Sequence, residues 1–148
     1  MTKGKKKMAT RVSTARWQGS VVEGSGSMAL GSGAYEGPFS FRSRFEDGKG
    51  TNPEELIAAA HAGCFSMAFT HILEGAGHSP KSVETSAEVR LSAVDGGFEI
   101  TRIDLKTRGD IPGIDEAEFA KLAGEAKTGC VVSKALSTVE ITLEATLV

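Results

Sequence analysis

Polar and apolar residues alternate along several segments of the chain, and this alternation predicts β-strands. From residue 83 to residue 93, apolar, small or β-branched side chains occupy the odd positions and polar ones the even positions. Asp95, Gly96 and Gly97 then predict a hairpin turn, with residues 98–107 as the partner strand. The apolar phase of that strand changes near Arg102, so we expect a β-bulge there. Residues 139–147 predict a last alternating strand.

The N-terminal part of the chain predicts further strands. Short apolar stretches in residues 11–23 and 28–45 surround a glycine-rich segment that is typical of tight turns. The clearest strand is predicted at residues 39–45, where phenylalanines occupy one face and Arg42 and Arg44 the other.

Two segments have the signals of helices. Asn52 is a good N-cap, Pro53 suits the first helical position, and Gly75 and Gly77 mark the end of a helix over residues 53 to about 76. This helix is apolar on nearly every face, more than one small subunit can easily cover, which predicts an obligate homodimer. A second helix begins near Asp115 and ends near residue 129.

The predicted element order is strands, helix, strands, helix, strand, which indicates an α+β fold with antiparallel sheets. The length of 148 residues suits one domain, predicted over residues 11–148. Residues 1–10 are predicted to be a disordered basic tail, with a nucleic-acid-binding arm as the alternative. The net charge of −2 gives no general attraction to nucleic acid. No segment is expected to span a membrane or to act as a secretory signal, so a cytoplasmic location is predicted.

The chain has two cysteines, Cys64 in the long helix and Cys130 after the second helix. Cys64 alone is most simply a small buried apolar residue. Cys130 follows Gly129 at a junction where backbone amides can favour a thiolate, and two cysteines brought together by the fold can form a reversible disulfide. His61 lies one turn before Cys64 and is a candidate base for its thiol.

Charged residues near the long helix have a structural and a functional interpretation. Arg42 and Arg44 are either a solvated strand face, or one of them stabilises a Cys64 thiolate. Glu54 either complements the helix dipole or orients an arginine. Because Glu54 and Cys64 are about 15 Å apart along an unbroken helix, a shared site needs a bridging arginine, a bent helix or a partner subunit.

Other site types are disfavoured by spacing. A zinc site made from His61, Cys64, His71 and Cys130 has no recognisable ligand spacing. The N-terminal glycines lack the strand and helix that a dinucleotide-binding or phosphate-binding loop requires.

Residues 50–67, GTNPEELIAAAHAGCFSM, closely resemble the signature of the OsmC/Ohr family of thiol peroxidases, on the OsmC side. The resemblance continues at residues 44–46, 95–98, 111–115 and 129–130, and only about the first ten residues fall outside it. It implies an OsmC-like fold, in which antiparallel sheets wrap long central helices of an intertwined homodimer with two active sites at the subunit interface.

The resemblance also implies roles for four residues. Cys64 matches the peroxidatic cysteine, Cys130 the resolving cysteine, Arg44 the arginine that activates the thiolate, and Glu54 the acid that positions that arginine. The implied substrates are organic hydroperoxides, and the implied reductant is a dithiol, often a lipoyl group. No metal, haem or flavin is implied.

Two features depart from this pattern or leave it open. Val131 follows the second cysteine where the family usually has proline, which would fix the backbone. Arg42 and Arg16 are alternatives to Arg44 as the arginine that activates the thiolate.

Two other functions compete with the peroxidase. One is a module that binds a hydrophobic ligand in the same cavity without catalysis, and the other is a cysteine hydrolase that uses Cys64 and His61.

Overall fold

The computed structural model describes residues 9–148, and most of the predicted basic tail lies outside that range. The chain divides into two compact units, the first ending at Pro53 and the second running over Glu54–Val148. The first unit contains β1 (Ser13–Gln18), β2 (Ser25–Leu30), β3 (Glu36–Phe39) and a short helix α1 (Phe41–Phe45). Its strands form an antiparallel sheet in the order β1-β2-β3. Strands are therefore confirmed in this region as far as Phe39, but β2 begins at Ser25, inside the glycine-rich segment that was predicted to form turns.

The prediction that residues 39–45 form one strand is wrong, because α1 begins directly after β3. Ser40 caps this helix: its hydroxyl accepts a hydrogen bond from the Ser43 amide, and the Ser43 hydroxyl accepts one from the Ser40 amide. Phe41 and Phe45 are four residues apart, a spacing that also fits one face of a helix, and their ring centroids lie 4.9 Å apart. Arg42 and Arg44 thus lie on a helix and not on a strand face.

The second unit contains the long helix α2 (Pro53–Gly75), β4 (Ser82–Val94), β5 (Gly97–Asp110), helices α3 (Glu116–Gly129) and α4 (Val131–Ala135), and β6 (Glu140–Leu147). The hairpin of β4 and β5 is confirmed, and so is its bulge. Arg90 pairs with Arg102 but Leu91 pairs with Ile100, so Thr101 is the extra residue. The bulge accounts for the change of apolar phase along β5.

The prediction that the sheets are purely antiparallel is wrong for β6, which pairs with β5 in parallel. In this sheet, whose order is β4-β5-β6, Arg102 lies opposite Glu140 and Gly109 lies opposite Leu147. The reason is the connection between the two strands. Helices α3 and α4 return the chain to the end of the sheet where β5 began, as a crossover connection requires.

Helix α2 ends as its glycines predicted. Gly77 has φ +91°, and the Gly77 and His78 amides donate to the Glu74 and Leu73 carbonyls, which together form a Schellman motif. The glycine satisfies the end of the helix because it adopts this left-handed conformation without a steric penalty.

One stripe of α2 is buried and another is exposed. His61, Phe65, Phe69 and Leu73 are fully buried, and the last three join a core that includes Phe119 of α3. By length and composition α2 could cross a bilayer, contrary to the expectation above. The same helix nevertheless contributes Phe65, Phe69 and Leu73 to the hydrophobic core, as a core helix does. The exposed stripe contains Ala60, Gly63, Met67, His71 and Glu74.

Candidate active site

The second unit brings the two cysteines into direct contact. The Sγ atoms of Cys64 and Cys130 lie 2.9 Å apart, and neither residue is in a disulfide. Cys64 lies in the middle of α2, whereas Cys130 caps both the end of α3 and the start of α4. Cys130 is fully buried, but Cys64 is partly exposed. Of the two cysteines, Cys64 is therefore the one with surface open to solvent.

The two thiols have opposite electrostatic environments. Burial raises the pKa of Cys64, and the neighbouring Cys130 raises it further, against the opposing effect of the Val131 and Val132 amides. Burial also acts to raise the pKa of Cys130, but the contact with Cys64 and the hydroxyl and amide of Ser133 outweigh it and lower that pKa. When the two thiols share one proton, these surroundings favour the negative charge on Cys130.

Val131 replaces the expected proline without disturbing the helix start. It occupies the first position of α4, and its side chain is 68% exposed, so no buried space changes. Unlike proline, valine keeps a backbone N–H, and this amide contributes to lowering the Cys64 pKa.

His61 makes a hydrogen bond to a residue that the sequence did not single out. Its Nε2 atom lies 2.8 Å from the Ser133 hydroxyl, and both side chains are buried. Burial lowers the His61 pKa, which favours the neutral imidazole. Ser133 is three residues after Cys130, at the position where a hydroxyl can face the start of α4. That spacing is the one sequence signal that could have drawn attention to it.

Arg44 belongs to the first unit and lines an apolar groove there. The groove has a volume of about 210 Å³ and is bordered mostly by aromatic rings, including Trp17, Phe39, Phe41 and Phe45. The Arg44 guanidinium also lies 5.4 Å from the centre of the Phe45 ring. Arg42 does not border this groove; it forms an exposed ion pair with Glu46 at 3.3 Å. Of these two arginines, Arg44 is the one with an apolar site beside it.

Glu54 is buried in the first turn of α2, at the start of the second unit. Ten residues of continuous helix separate it from Cys64, or about 15 Å along the axis. Within residues 9–148, no three histidine, cysteine or acidic side chains are arranged to hold a metal ion.

Comparison with known proteins places these features in a family. A model of the family described as OsmC-like protein matches residues 46–144. Peroxiredoxin OsmC of Escherichia coli is 49% identical over 131 residues, which cover 88% of this chain and 91% of the relative. The organic hydroperoxide resistance protein of Xanthomonas axonopodis pv. citri is 34% identical over 98 residues, 65% of this chain and 67% of that protein.

Solved structures give the same assignment. The organic hydroperoxide resistance protein OsmC of Legionella pneumophila has a TM-score of 0.73 at 26% identity, over 95% of this chain and 99% of the other. OhrB of Bacillus subtilis, an organic hydroperoxide resistance protein, has a TM-score of 0.72 at 25% identity, over 90% and 97%. The mixed α+β fold, the family-model match and the Escherichia coli relative together show that this chain belongs to the OsmC family.

Proposed function

We propose that this protein is a thiol-dependent peroxidase that reduces organic hydroperoxides to alcohols. The observation that carries the proposal is the cysteine pair, in which the sulfur of the partly exposed Cys64 lies 2.9 Å from the sulfur of the buried Cys130. A peroxide must reach one sulfur, and a second sulfur must then reach the oxidised one. Relatives named peroxiredoxin and organic hydroperoxide resistance protein support the same chemistry.

The proposed reaction has two oxidative steps. The Cys64 thiolate attacks the outer oxygen of the hydroperoxide, the O–O bond breaks, and the alkoxide leaves and takes a proton to become the alcohol. Cys64 is now a sulfenic acid. The Cys130 sulfur attacks the Cys64 sulfur, the S–O bond breaks, and hydroxide leaves and takes a proton to become water. The product is a Cys64–Cys130 disulfide.

An external dithiol, such as a reduced lipoyl group, regenerates the enzyme by thiol–disulfide exchange. Its first thiolate attacks the disulfide, and its second thiolate releases the mixed disulfide, so that the dithiol becomes oxidised and both cysteines become reduced. This cycle suits the reducing environment of the cytoplasm, where we propose that the protein acts.

Arg44 and Glu54 complete the proposed site. Burial raises the pKa of Cys64, so the thiolate needs a positive charge to offset it. We assign that charge to Arg44, which also stabilises the developing alkoxide, and we assign to Glu54 the orientation of the arginine.

The homodimer is also a proposal, and the exposed stripe of α2 supports it. Met67 is 79% exposed although it lies in the middle of the most apolar helix, and apart from the adjacent residues and backbone of α2 itself, no atom lies within 4 Å of where a Gly63 side chain would begin. A second copy of the chain would cover the apolar part of this stripe, which contains Ala60, Gly63 and Met67.

Met67→Glu is therefore expected to convert the dimer to a monomer or to weaken association at least about 100-fold, because it buries a charge in an apolar interface. Sedimentation velocity at micromolar concentration measures this. Ala120→Glu adds the same charge to an exposed position of α3 and is the matched control. Wild-type protein that sediments as a folded monomer contradicts the dimer.

Thiol counting tests the function itself. One equivalent of an organic hydroperoxide, added without reductant, is expected to consume two thiols per chain and to produce one alcohol. The ligand-binding module and the cysteine hydrolase consume none. The hydrolase is also disfavoured because the His61 Nε2 atom is hydrogen-bonded to Ser133 and not to Cys64.

A further inference from the structure

The His61 and Ser133 pair lies beside the cysteines, and the proposed chemical steps leave it unused. The Nε2 atom of His61 is 2.8 Å from the Ser133 hydroxyl, across 72 positions of sequence. Both side chains are buried, and Ser133 lies in the first turn of α4, directly after the N-cap residue Cys130 and the first two helical residues. A buried histidine and a buried hydroxyl are costly to retain in a core unless they have a structural or chemical role.

The hydrogen-bond pattern indicates the direction of this contact. Within residues 9–148, the other ring nitrogen of His61, Nδ1, has no hydrogen-bond partner. A hydrogen on Nδ1 would therefore be a buried donor without an acceptor, so the neutral ring is better satisfied with its hydrogen on Nε2. His61 then donates to the Ser133 oxygen, and the Ser133 hydrogen is left to donate to another acceptor.

We propose that His61 and Ser133 are positioning residues for the resolving cysteine, with His61 fixing the Ser133 hydroxyl so that it donates to the Cys130 thiolate. This inference rests on the proposed peroxidase cycle and goes beyond it, since it concerns only the second oxidative step. Cys130 is fully buried, and a buried thiolate needs donors in its immediate surroundings. The hydroxyl and the amide of Ser133 both act to lower the Cys130 pKa.

The positioned thiolate serves two steps of the cycle. In resolution, Cys130 is the nucleophile that attacks the Cys64 sulfenic acid. In regeneration, the dithiol attacks the sulfur of the partly exposed Cys64, the S–S bond breaks, and Cys130 leaves as a thiolate. A thiol with a lower pKa leaves faster, so the same hydrogen bond assists both steps.

The decisive variants are Ser133→Ala and Ser133→Thr. Ser133→Ala is expected to lengthen the lifetime of the Cys64 sulfenic acid about 10- to 100-fold, because a hydrogen bond to a charged sulfur is lost. The pH profile of resolution is expected to move to higher pH. First oxidation of Cys64 is expected to become faster, since a proton that moves to Cys130 leaves Cys64 as the thiolate. Ser133→Thr keeps the hydroxyl and is expected to restore resolution.

His61 is tested in the same way with His61→Leu and His61→Gln. Leucine removes the donor, whereas glutamine keeps an N–H at a similar reach, so only the second variant is expected to retain rapid resolution. Ser137→Ala is the matched control for Ser133→Ala, because Ser137 is an exposed serine just after α4. Stopped-flow single turnover with trapping of the sulfenic acid resolves the two oxidative steps.

A direct titration makes the outcome independent of peroxidase activity. In the Cys64→Ser background, thiolate absorbance reports the pKa of Cys130 alone, and adding Ser133→Ala is expected to raise it. An unchanged Cys130 pKa together with normal resolution in Ser133→Ala would overturn the inference while leaving the peroxidase intact. If the wild type consumes no thiols with hydroperoxide, the proposed function fails instead. This titration still shows whether the Ser133 hydroxyl donates to the Cys130 thiolate.

Discussion

Cys64→Ser is expected to reduce turnover of organic hydroperoxides to the uncatalysed level, whereas Cys130→Ser is expected to permit one oxidation and then to stall. The two sulfurs are in contact, but of the two residues only Cys64 is partly exposed. A serine hydroxyl at position 64 cannot replace a thiolate as the nucleophile towards a peroxide oxygen. With Cys130→Ser, Cys64 still reacts but its sulfenic acid has no intramolecular thiol partner.

Thiol counting and mass spectrometry separate the two variants. In the absence of reductant, wild type is expected to lose two thiols per chain and to gain a disulfide. Cys130→Ser is expected to lose one thiol and, with excess peroxide, to proceed to sulfinic acid. The assignment would be reversed if Cys64→Ser kept its activity and Cys130→Ser lost the first oxidation, because the electrostatic preference for charge on Cys130 would then outweigh its burial.

Local signals predicted most of the second unit. Capping residues and glycines are short-range features, so the bounds of α2 and α3 followed from the sequence. Period-two alternation likewise predicted the β4–β5 hairpin and its bulge. The direction of β6 could not be predicted in this way, because alternation is the same in parallel and antiparallel strands and only the path of the connection decides.

The segment around Arg44 shows how one pattern can fit two structures. Phe41 and Phe45 are four residues apart, which satisfies both a period of two and a helical turn. The reciprocal hydrogen bonds of Ser40 and Ser43 decide for the helix. Serine also favours turns through its side-chain hydrogen bonds, so a pair of serines three residues apart does not by itself identify a capping box.

The candidate site depends on contacts between distant parts of the sequence. Cys64 and Cys130 are 66 positions apart, and His61 and Ser133 are 72 apart. No spacing rule predicts such contacts, and the family resemblance supplied the cysteine pairing before the structure did. Ser133 was missed because its importance follows only from the position of His61. The roles of Arg44 and Glu54 remain predictions.

Arg44→Ala is expected to slow the attack of Cys64 on hydroperoxide at neutral pH by about 100-fold or more. Burial raises the Cys64 pKa. In the proposed role the positive charge of Arg44 favours the thiolate, so its loss would raise this pKa further. Arg42→Ala is the matched control, because Arg42 lies on the same short helix and is exposed, but pairs with Glu46 and does not border the groove. Glu54→Ala is expected to give a smaller defect, because the arginine keeps its charge and loses only its orientation.

Two reagents distinguish thiolate activation from stabilisation of the leaving alkoxide. In the Cys130→Ser background, a single thiol titrates, and the pH profile of iodoacetamide alkylation reports the Cys64 pKa. Because the reactive form is the thiolate, a raised pKa in Arg44→Ala moves this profile to higher pH, and the alkylation defect disappears once the pH exceeds the raised value. Alkylation releases no alkoxide, whereas peroxide reduction does. A peroxide defect that persists at high pH therefore measures the second role of Arg44, the stabilisation of the leaving alkoxide.

Two outcomes would contradict the assignment. An unshifted alkylation profile in Arg44→Ala with a shifted one in Arg42→Ala would transfer both roles to Arg42. A larger defect in Glu54→Ala than in Arg44→Ala would contradict the proposal that Glu54 acts only by orienting Arg44.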